Sequence, residues 1–353
     1  MKRLRHLVSE RTSVRLPALL RIALGVIAVA RGLEAYRILS PLALPTVVKI
    51  PYVTWMPAPT DLAILSIVIV WLTAGITFAI GYRTQISGTL LTFAMAAGLL
   101  IDQQGYSNHL YLLTILVGLL TLSRPGGAWS FDLRRMKELV TSLLWPLVLM
   151  KVQISVVYFF AAFTKLHEEY LTGRVLAGQL GGLVVLPEQL RVPRILMVLA
   201  ISSVVVEAFL AVYLWHPEKR FMAVGAGVLL HGVIPFVMQP FLQLTVFSSM
   251  MLSSYLLFIP RRAARRQVIA PDGIARLVRR LDVLQVMSVV SGESVSTERD
   301  GRSAVDWQAA TAIADELPAM YLIAPFLRLP GIRTWGSRAL RGHGVTGGPK
   351  PNH

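Results

Sequence analysis

Lys165 and His109 stand at the ends of two long apolar stretches, and together they offer the chemistry of a proton transfer. A lysine ammonium is a poor base at its ordinary pKa, but desolvation lowers that pKa by up to several units and leaves a neutral amine that accepts a proton. We therefore predict that Lys165 acts as a base beside His109. The structural alternative is a lysine that extends its ammonium to the membrane interface, the commonest fate of a lysine at a helix end.

Other polar side chains interrupt the apolar stretches at related depths. An ionisable side chain at membrane depth costs a few kcal/mol, so those that occur usually face the interior of a helix bundle. Counting about 1.5 Å per helical residue places Arg31, Glu34 and Asn108 in the outer half of the membrane with Lys165, and His231 near its middle. We expect them to bind a substrate in one cavity. Helix capping by Asn108 and an interhelical hydrogen bond from His231 are the structural alternatives.

Two opposite charges, Lys151 and Glu207, fall nearer the middle to inner part of their stretches and are predicted to form a structural pair. Metal chemistry is not predicted. The chain has no cysteine, which excludes disulfides, thiolate metal sites and thiol catalysis, and no histidines have the H-x-x-H or H-E-x-x-H spacing. The glycine-rich stretch 178–182 lacks a phosphate-binding pattern and fits a re-entrant or interfacial segment better.

The apolar stretches define the architecture. Apolar residues make up 54% of the 353 residues and charged residues 15%, and the mean hydropathy is +0.60, values outside the range of soluble globular domains. We predict an all-α polytopic membrane bundle of about eight transmembrane helices, because stretches near the ~20 residues that cross a bilayer core recur along the chain. These stretches are 17–38, 62–81, 86–101, 109–123, 142–164, 196–214, 221–238 and 241–259.

The net charge of +16 lies mostly outside these stretches. Lysine and arginine accumulate in short cytoplasmic loops, and with an even number of crossings most basic clusters fall on one face. The pattern predicts a multi-pass protein of the cell membrane with both termini in the cytoplasm. Loop 165–195 is the exception, because it carries basic residues and is predicted outside. This makes the loop a candidate for function.

The chain is predicted to have four regions: a basic cytoplasmic tail at 1–16, the transmembrane domain at 17–260, a small soluble domain at 261–341 and a disordered tail at 342–353. The soluble domain has mixed charges, a turn near Glu298–Arg302 and a helical pattern over Asp306–Leu317. Its arginines lack interleaved aromatic residues, so contact with membrane lipid is predicted and nucleic-acid binding is not.

Two stretches of the membrane part resemble a known family. One contains Asn108-His109-Leu110-Tyr111 and, further on, Trp129-Ser130-Phe131-Asp132; the other, Trp145–Gly173, carries Lys165 followed by a leucine. They resemble the Asn-His-x-Tyr helix, the Trp-Ser-x-Asp loop and the base-bearing helix of vitamin K-dependent gamma-glutamyl carboxylase and its bacterial relatives, the horizontally transferred transmembrane (HTTM) domain proteins. The resemblance covers most of residues 15–260.

The resemblance implies a site and a cofactor. By it, Lys165 holds the place of the carboxylase base, Tyr111 belongs to the substrate-binding helix with Asn108, and Glu207 and His231 match a membrane-embedded acid and a histidine-bearing helix. The implied cofactor is a reduced lipophilic quinone, menahydroquinone or vitamin K-like, with no metal. One functional hypothesis is therefore a quinone-dependent, carboxylase-like lyase. The other is a non-catalytic membrane binder or partner subunit whose C-terminal domain docks a cytosolic protein of unknown identity.

The C-terminal segment resembles a different family, the DCC thioredoxin-like oxidoreductases. The likeness rests on Asp272-Gly273, Asp300-Gly-Arg, the helix at 304–317 and the stretch Leu322–Gly331. The family's Asp-Gly-x-Cys-x-x-Cys is absent, since the chain has no cysteine. The resemblance implies a small α/β, thioredoxin-like domain that has lost its redox reaction.

Overall fold

The computed structural model describes residues 10–53, 55, 57–135, 141–259, 265–299 and 301–342. The predicted N-terminal tail up to residue 9 and the C-terminal tail from 343 onward lie outside the described residues. The longer helices of the first 260 residues are α1 (Arg15–Leu39), α2 (Asp61–Ile80), α3 (Thr84–Leu100), α4 (Asn108–Leu122) and α5 (Leu144–Thr164), then, after the short α6 (Glu168–Leu171) and α7 (Arg174–Gln179), α8 (Pro193–Tyr213), α9 (Arg220–Val237) and α10 (Phe241–Tyr255).

The chain is a mostly helical, multi-pass membrane protein. Within the described residues, six helices are long and apolar enough to cross a bilayer: α1, α2, α5, α8, α9 and α10. Helices α3 and α4 are apolar but shorter, with 17 and 15 residues. All eight lie at the predicted positions, whereas the count of eight crossings is not confirmed, because ~20 residues are needed to span the hydrocarbon core.

The helix ends follow local sequence signals. Thr60 begins α2 by accepting a hydrogen bond from the Ala63 backbone N–H at 3.2 Å, and Ser107 begins α4 by accepting one from the Leu110 N–H at 3.4 Å. Such caps satisfy backbone donors that the first helical turn leaves unpaired. Gly81 ends α2 with φ +76°, a left-handed conformation that glycine adopts at little cost.

Helix α1 packs closely against α2. A Cβ at Gly25 would lie 2.8 Å from the Ala79 Cβ, so the two backbones approach at a pair of small residues, as membrane helices commonly do. The fully buried Trp71 donates its indole N–H to the Ala28 carbonyl at 2.8 Å. These contacts fix the position of α1 against α2 in the bundle.

Polar side chains link several elements at the end of the bundle where α1 begins. The buried Arg21 guanidinium donates to the carbonyls of Pro125, Ala128 and Trp129 at 3.2, 3.4 and 2.6 Å. Asp132, in the same loop, accepts hydrogen bonds from the Arg83 N–H, the Thr84 N–H and the Thr84 hydroxyl, each at 2.7 Å. The loop between α4 and α5 is thereby tied to both α1 and the start of α3. A two-residue strand pair, β1 (Arg11–Thr12) with β2 (Ser142–Leu143), is antiparallel.

The C-terminal residues form a small α/β domain, the class predicted for them. Its elements are β3 (Arg266–Ala270), α11 (Asp272–Leu281), β4 (Met287–Ser291), β5 (Ser296–Arg299), β6 (Arg302–Val305), α12 (Asp306–Ala314), α13 (Pro318–Tyr321) and α14 (Pro330–Gly342). The sheet has the order β4-β3-β5-β6, with β3 and β4 parallel and the other pairs antiparallel. The thioredoxin-like assignment and the domain boundaries stay predictions.

A buried ion cluster crosses this domain. The Glu316 carboxylate, 2% exposed, accepts hydrogen bonds from the Arg266 and Arg299 guanidinium groups at 2.8 and 2.7 Å. The apolar core lies beside it and includes Val268, Ala275 and Ile313. Buried charges persist only when they are paired in this way, so the cluster fixes strands β3 and β5 against the segment after α12.

Candidate functional site

A narrow cleft lies between α1, α4 and α10. Its cavity volume is about 10 Å³, room for roughly one water molecule. The residues around it combine apolar side chains with three polar ones, and they are Arg31, His109, Leu110, Leu113, Gln243, Val246, Phe247 and Met250. Three helices that are distant in sequence therefore meet at one site, which is lined by both polar and apolar side chains.

Phe247 of α10 brings two of the predicted histidines together. The His109 ring stacks on Phe247 with centroids 4.2 Å apart and an interplanar angle of 21°. The His231 ring meets Phe247 edge to face at 5.4 Å and 75°. The prediction that His109 and His231 approach the same region thus has a geometric basis, with an aromatic ring between the two imidazoles.

His231 belongs to a buried chain of hydrogen bonds. The Tyr158 hydroxyl lies 2.8 Å from the His231 Nε2 and 2.5 Å from the Tyr255 hydroxyl. The three residues are at most 3% exposed. Among the described residues, the His231 Nδ1 has no hydrogen-bond partner. The His231 Nε2 is therefore hydrogen-bonded by the protein, whereas no described residue supplies a partner for the Nδ1.

Lys165 ends α5 and is half-buried. Its ammonium lies 5.1 Å from the centre of the Tyr170 ring, a cation–π distance, and the Tyr170 hydroxyl is 2.8 Å from the Ser203 hydroxyl. The Lys165 charge also lies within electrostatic range of His231. The lysine is not among the residues that surround the cleft.

Arg31 reaches the cleft as half of an ion pair. Its guanidinium donates to the Glu34 carboxylate at 2.8 Å, one helical turn along α1. The pairing offsets the cost of a charge at this depth. Arg31 also lies within electrostatic range of His109. The ion pair therefore contributes to the electrostatic field at the side of the cleft that His109 lines.

The remaining predicted residues lie elsewhere. Asn108 is the first residue of α4 and is exposed, and Tyr111 is 48% exposed with its ring 6.3 Å from that of Tyr106. Neither is among the residues around the cleft. Lys151 is half-buried on α5 and Glu207 is buried on α8; their pairing stays a prediction.

Four residues of the site were not singled out from the sequence: Gln243, Phe247, Tyr158 and Tyr255. The two tyrosines carried a usable signal, since a tyrosine hydroxyl inside an apolar helix requires a hydrogen-bond partner. Tyr158 also lies inside the Trp145–Gly173 stretch. Phe247 carried no such signal, because phenylalanine is common in apolar helices and the sequence does not show which residues pack against it.

The donor set of the cleft indicates what it can hold. A guanidinium, an imidazole and a carboxamide surrounded by leucine, valine and phenylalanine suit a flat apolar ring that bears oxygen atoms. The cavity volume of about 10 Å³ is far below the roughly 300 Å³ at which pockets for small organic ligands begin, so a ring enters only if side chains at the cleft move apart. Among the described residues no cluster of three His, Asp or Glu side chains is arranged to bind a metal ion.

The segment 165–195, predicted as a functional loop, contains α6 and α7 and contacts the end of α9. The Gly182 N–H donates to the Val237 carbonyl at 3.0 Å, and the Gln239 carboxamide donates to the Gly181 carbonyl at 2.6 Å. Leu183 and Val185 are 65% and 71% exposed. These apolar side chains are typical of an interfacial segment, in keeping with the interpretation of the glycine-rich stretch.

The chain matches the model of a known protein family. The family model described as HTTM domain matches residues 13–262, a range that contains every helix from α1 to α10 and all the residues of the cleft. No solved structure matches the chain.

Proposed function

Since this chain belongs to the HTTM domain family, we propose that it is a membrane enzyme that binds a reduced lipophilic quinone at the α1–α4–α10 cleft and uses Lys165 as a base. The observation that carries the proposal is the arrangement of His109 and His231 against Phe247, beside a cleft that also holds Arg31. An aromatic residue flanked by two imidazoles offers stacking and hydrogen bonding to one ring.

The residues fit a quinone-type ring in their chemistry. Arg31, His109 and Gln243 supply hydrogen bonds to ring oxygens, and Leu110, Leu113 and Met250 supply apolar contacts. When bound, a hydroquinone would supply an acidic hydroxyl and the electrons that reduce dioxygen, the oxidant from which the epoxide takes its oxygen, to drive carboxylase- or lyase-like chemistry. The isoprenoid tail of such a molecule is soluble in lipid, so the ligand reaches the cleft from the bilayer.

Lys165, His109 and His231 have separate roles in the proposed reaction. Lys165, half-buried beside Tyr170, takes a proton in that reaction. His109 orients the ring by stacking and hydrogen bonding. His231, held at Nε2 by Tyr158, has its Nδ1 available to accept or return a proton.

The experiment uses the full chain purified in mild detergent and reconstituted in lipid nanodiscs. Mass spectrometry of co-purifying lipids tests for a bound quinone, and added menahydroquinone is followed by chromatography for its epoxide. We expect turnover in the wild type and its loss in both Lys165→Ala and Lys165→Arg, because a guanidinium does not deprotonate. His216→Ala, an exposed histidine between α8 and α9, is the matched control and keeps full activity.

Epoxide formation that survives Lys165→Arg would refute the assignment of the base. Absence of bound quinone together with absence of turnover in every variant would favour the second candidate, a non-catalytic binder or partner subunit. The small volume of the cleft is the observation that favours that candidate, because a site that never opens holds no ring.

The orientation in the cell membrane is part of the proposal. Both termini are placed in the cytoplasm by the positive charge of the short loops. A green fluorescent protein fused at His353 fluoresces only in the cytoplasm, and alkaline phosphatase at the same position is active only outside it. Phosphatase activity without fluorescence would overturn the orientation.

A further inference from the structure

Helix α14 presents an apolar and basic surface that no other described element covers. Trp335 is 71% exposed and Leu329, just before the helix, is 50% exposed. The charged residues Arg333 and Arg338 on the same helix are exposed as well. Arg338, three residues after Trp335, lies on the same face of the helix. An exposed indole beside an arginine is unusual for a face in contact with water alone.

The start of α14 is fixed beside a membrane helix. The Arg328 guanidinium lies over the Phe221 ring at 4.8 Å, and a Cβ at Gly225 would lie 2.9 Å from Pro325. Phe221 and Gly225 belong to the first two turns of α9, a helix long and apolar enough to cross the bilayer. The segment Pro325–Arg328 therefore sits at the end of a transmembrane helix, and α14 begins two residues later.

The rotation of α14 about its axis is fixed as well. The Trp307 ring of α12 occupies the space next to Gly336, where a Cβ would lie 2.3 Å from it. The Trp307 indole N–H also donates to the Leu327 carbonyl at 2.9 Å. Because Gly336 faces the domain, its neighbour Trp335 is turned outward. Its exposure thus follows from the packing of α12 against α14.

Distance places this indole near the lipid headgroups. Trp335 is five residues into α14, about 7.5 Å along the helix axis from Pro330. The headgroup region on each side of a bilayer is roughly 5–8 Å thick, so a helix that begins at the end of α9 stays near this layer for its first turns. Tryptophan concentrates at that depth, and arginine pairs with anionic phosphates there.

We propose that α14 is an interfacial anchor that lies on the membrane its own chain crosses. Trp335 inserts at the boundary between headgroups and acyl chains. Arg338, on the same face, binds the phosphates of anionic lipids. The anchor holds the C-terminal α/β domain against the bilayer at the end where α9 begins. The proposal is independent of the quinone reaction.

The test exploits the absence of cysteine from the chain. A single nitroxide label is attached at Trp335→Cys in the full chain, reconstituted in nanodiscs of phosphatidylcholine with or without phosphatidylglycerol. Relaxation by oxygen, which concentrates in lipid, is compared with relaxation by a water-soluble nickel chelate. Val290→Cys on β4, 58% exposed, is the matched control.

We expect the label at 335 to be accessible to oxygen and protected from nickel in the anionic discs, and the label at 290 to show the opposite. Arg338→Gln should lower the insertion equilibrium about fivefold. Equal nickel access at 335 and 290 would overturn the anchor. Protection that is the same in both lipids would overturn the role of Arg338. Protection found in native membranes but absent from nanodiscs would assign the surface to a protein partner instead.

Discussion

Removing the Tyr158 hydroxyl tests the buried hydrogen-bond chain directly. That oxygen bridges the His231 imidazole at 2.8 Å and the Tyr255 hydroxyl at 2.5 Å. Phenylalanine fills the same space, so Tyr158→Phe leaves no cavity and removes only the bridging hydroxyl. The histidine Nε2 and the Tyr255 hydroxyl are then both left buried without this partner.

The size of the effect follows from the number of bonds. Interhelical hydrogen bonds in membrane proteins average about 0.6 kcal/mol and reach about 1.7 kcal/mol. Two lost bonds therefore lower the free energy of unfolding by about 1–3 kcal/mol. Tyr255→Phe removes one bond and costs about half as much. In the Tyr158→Phe background, Tyr255→Phe should cost nothing or stabilise, since it removes a hydroxyl that has already lost its partner.

The free energies come from reversible unfolding in mixed detergent micelles, followed by circular dichroism. Tyr111→Phe is the matched control, because the same hydroxyl is removed from a ring that is 48% exposed; we expect a change within about 0.5 kcal/mol. The reasoning is refuted if Tyr158→Phe is no more destabilising than Tyr111→Phe, or if the costs at positions 158 and 255 simply add.

Three further predictions concern other parts of the molecule. Gly81→Ala should lower the melting temperature and cost at least about 2 kcal/mol, because φ is +76° and the new Cβ would lie 2.3 Å from the Ser130 Cβ. Glu316→Gln should destabilise the C-terminal domain by about 3–5 kcal/mol in denaturant, since it leaves the buried Arg299 and the partly buried Arg266 guanidinium groups without their carboxylate; an unchanged midpoint would contradict this. Burial raises the pKa of the Asp315 carboxyl although Arg328 donates a hydrogen bond to it. The folded domain therefore holds this proton more tightly than the unfolded chain does, and stability should fall as the pH rises from about 3.9 through the raised pKa. Hydrogen exchange should show that this fall is smaller in Asp315→Asn.

The sequence predicts the membrane helices well because their signal is local. A run of apolar residues marks each span, and the first one, predicted at 17–38, is observed as Arg15–Leu39. Histidines 109 and 231 were also recognisable, since polar groups in such runs need a reason to be there. Their common neighbour Phe247 was not predictable, because it lies more than 130 residues from His109 and its role depends on which face of α10 meets α4. The shorter α3 and α4 show the limit of a length rule, since it cannot decide the number of crossings.

Asp132 and His231 differ in how their polar atoms are satisfied. The half-buried Asp132 receives three hydrogen bonds from the start of α3, so its role is to fix a helix end. His231 is more deeply buried, yet only one of its ring nitrogens has a partner within the described residues. An unmet hydrogen bond in an apolar interior costs about 1–3 kcal/mol, and it is maintained most readily where a ligand or water supplies the missing partner. The position of His231 against Phe247, which borders the cleft, is therefore the strongest structural reason to look for a bound molecule at this end of the bundle.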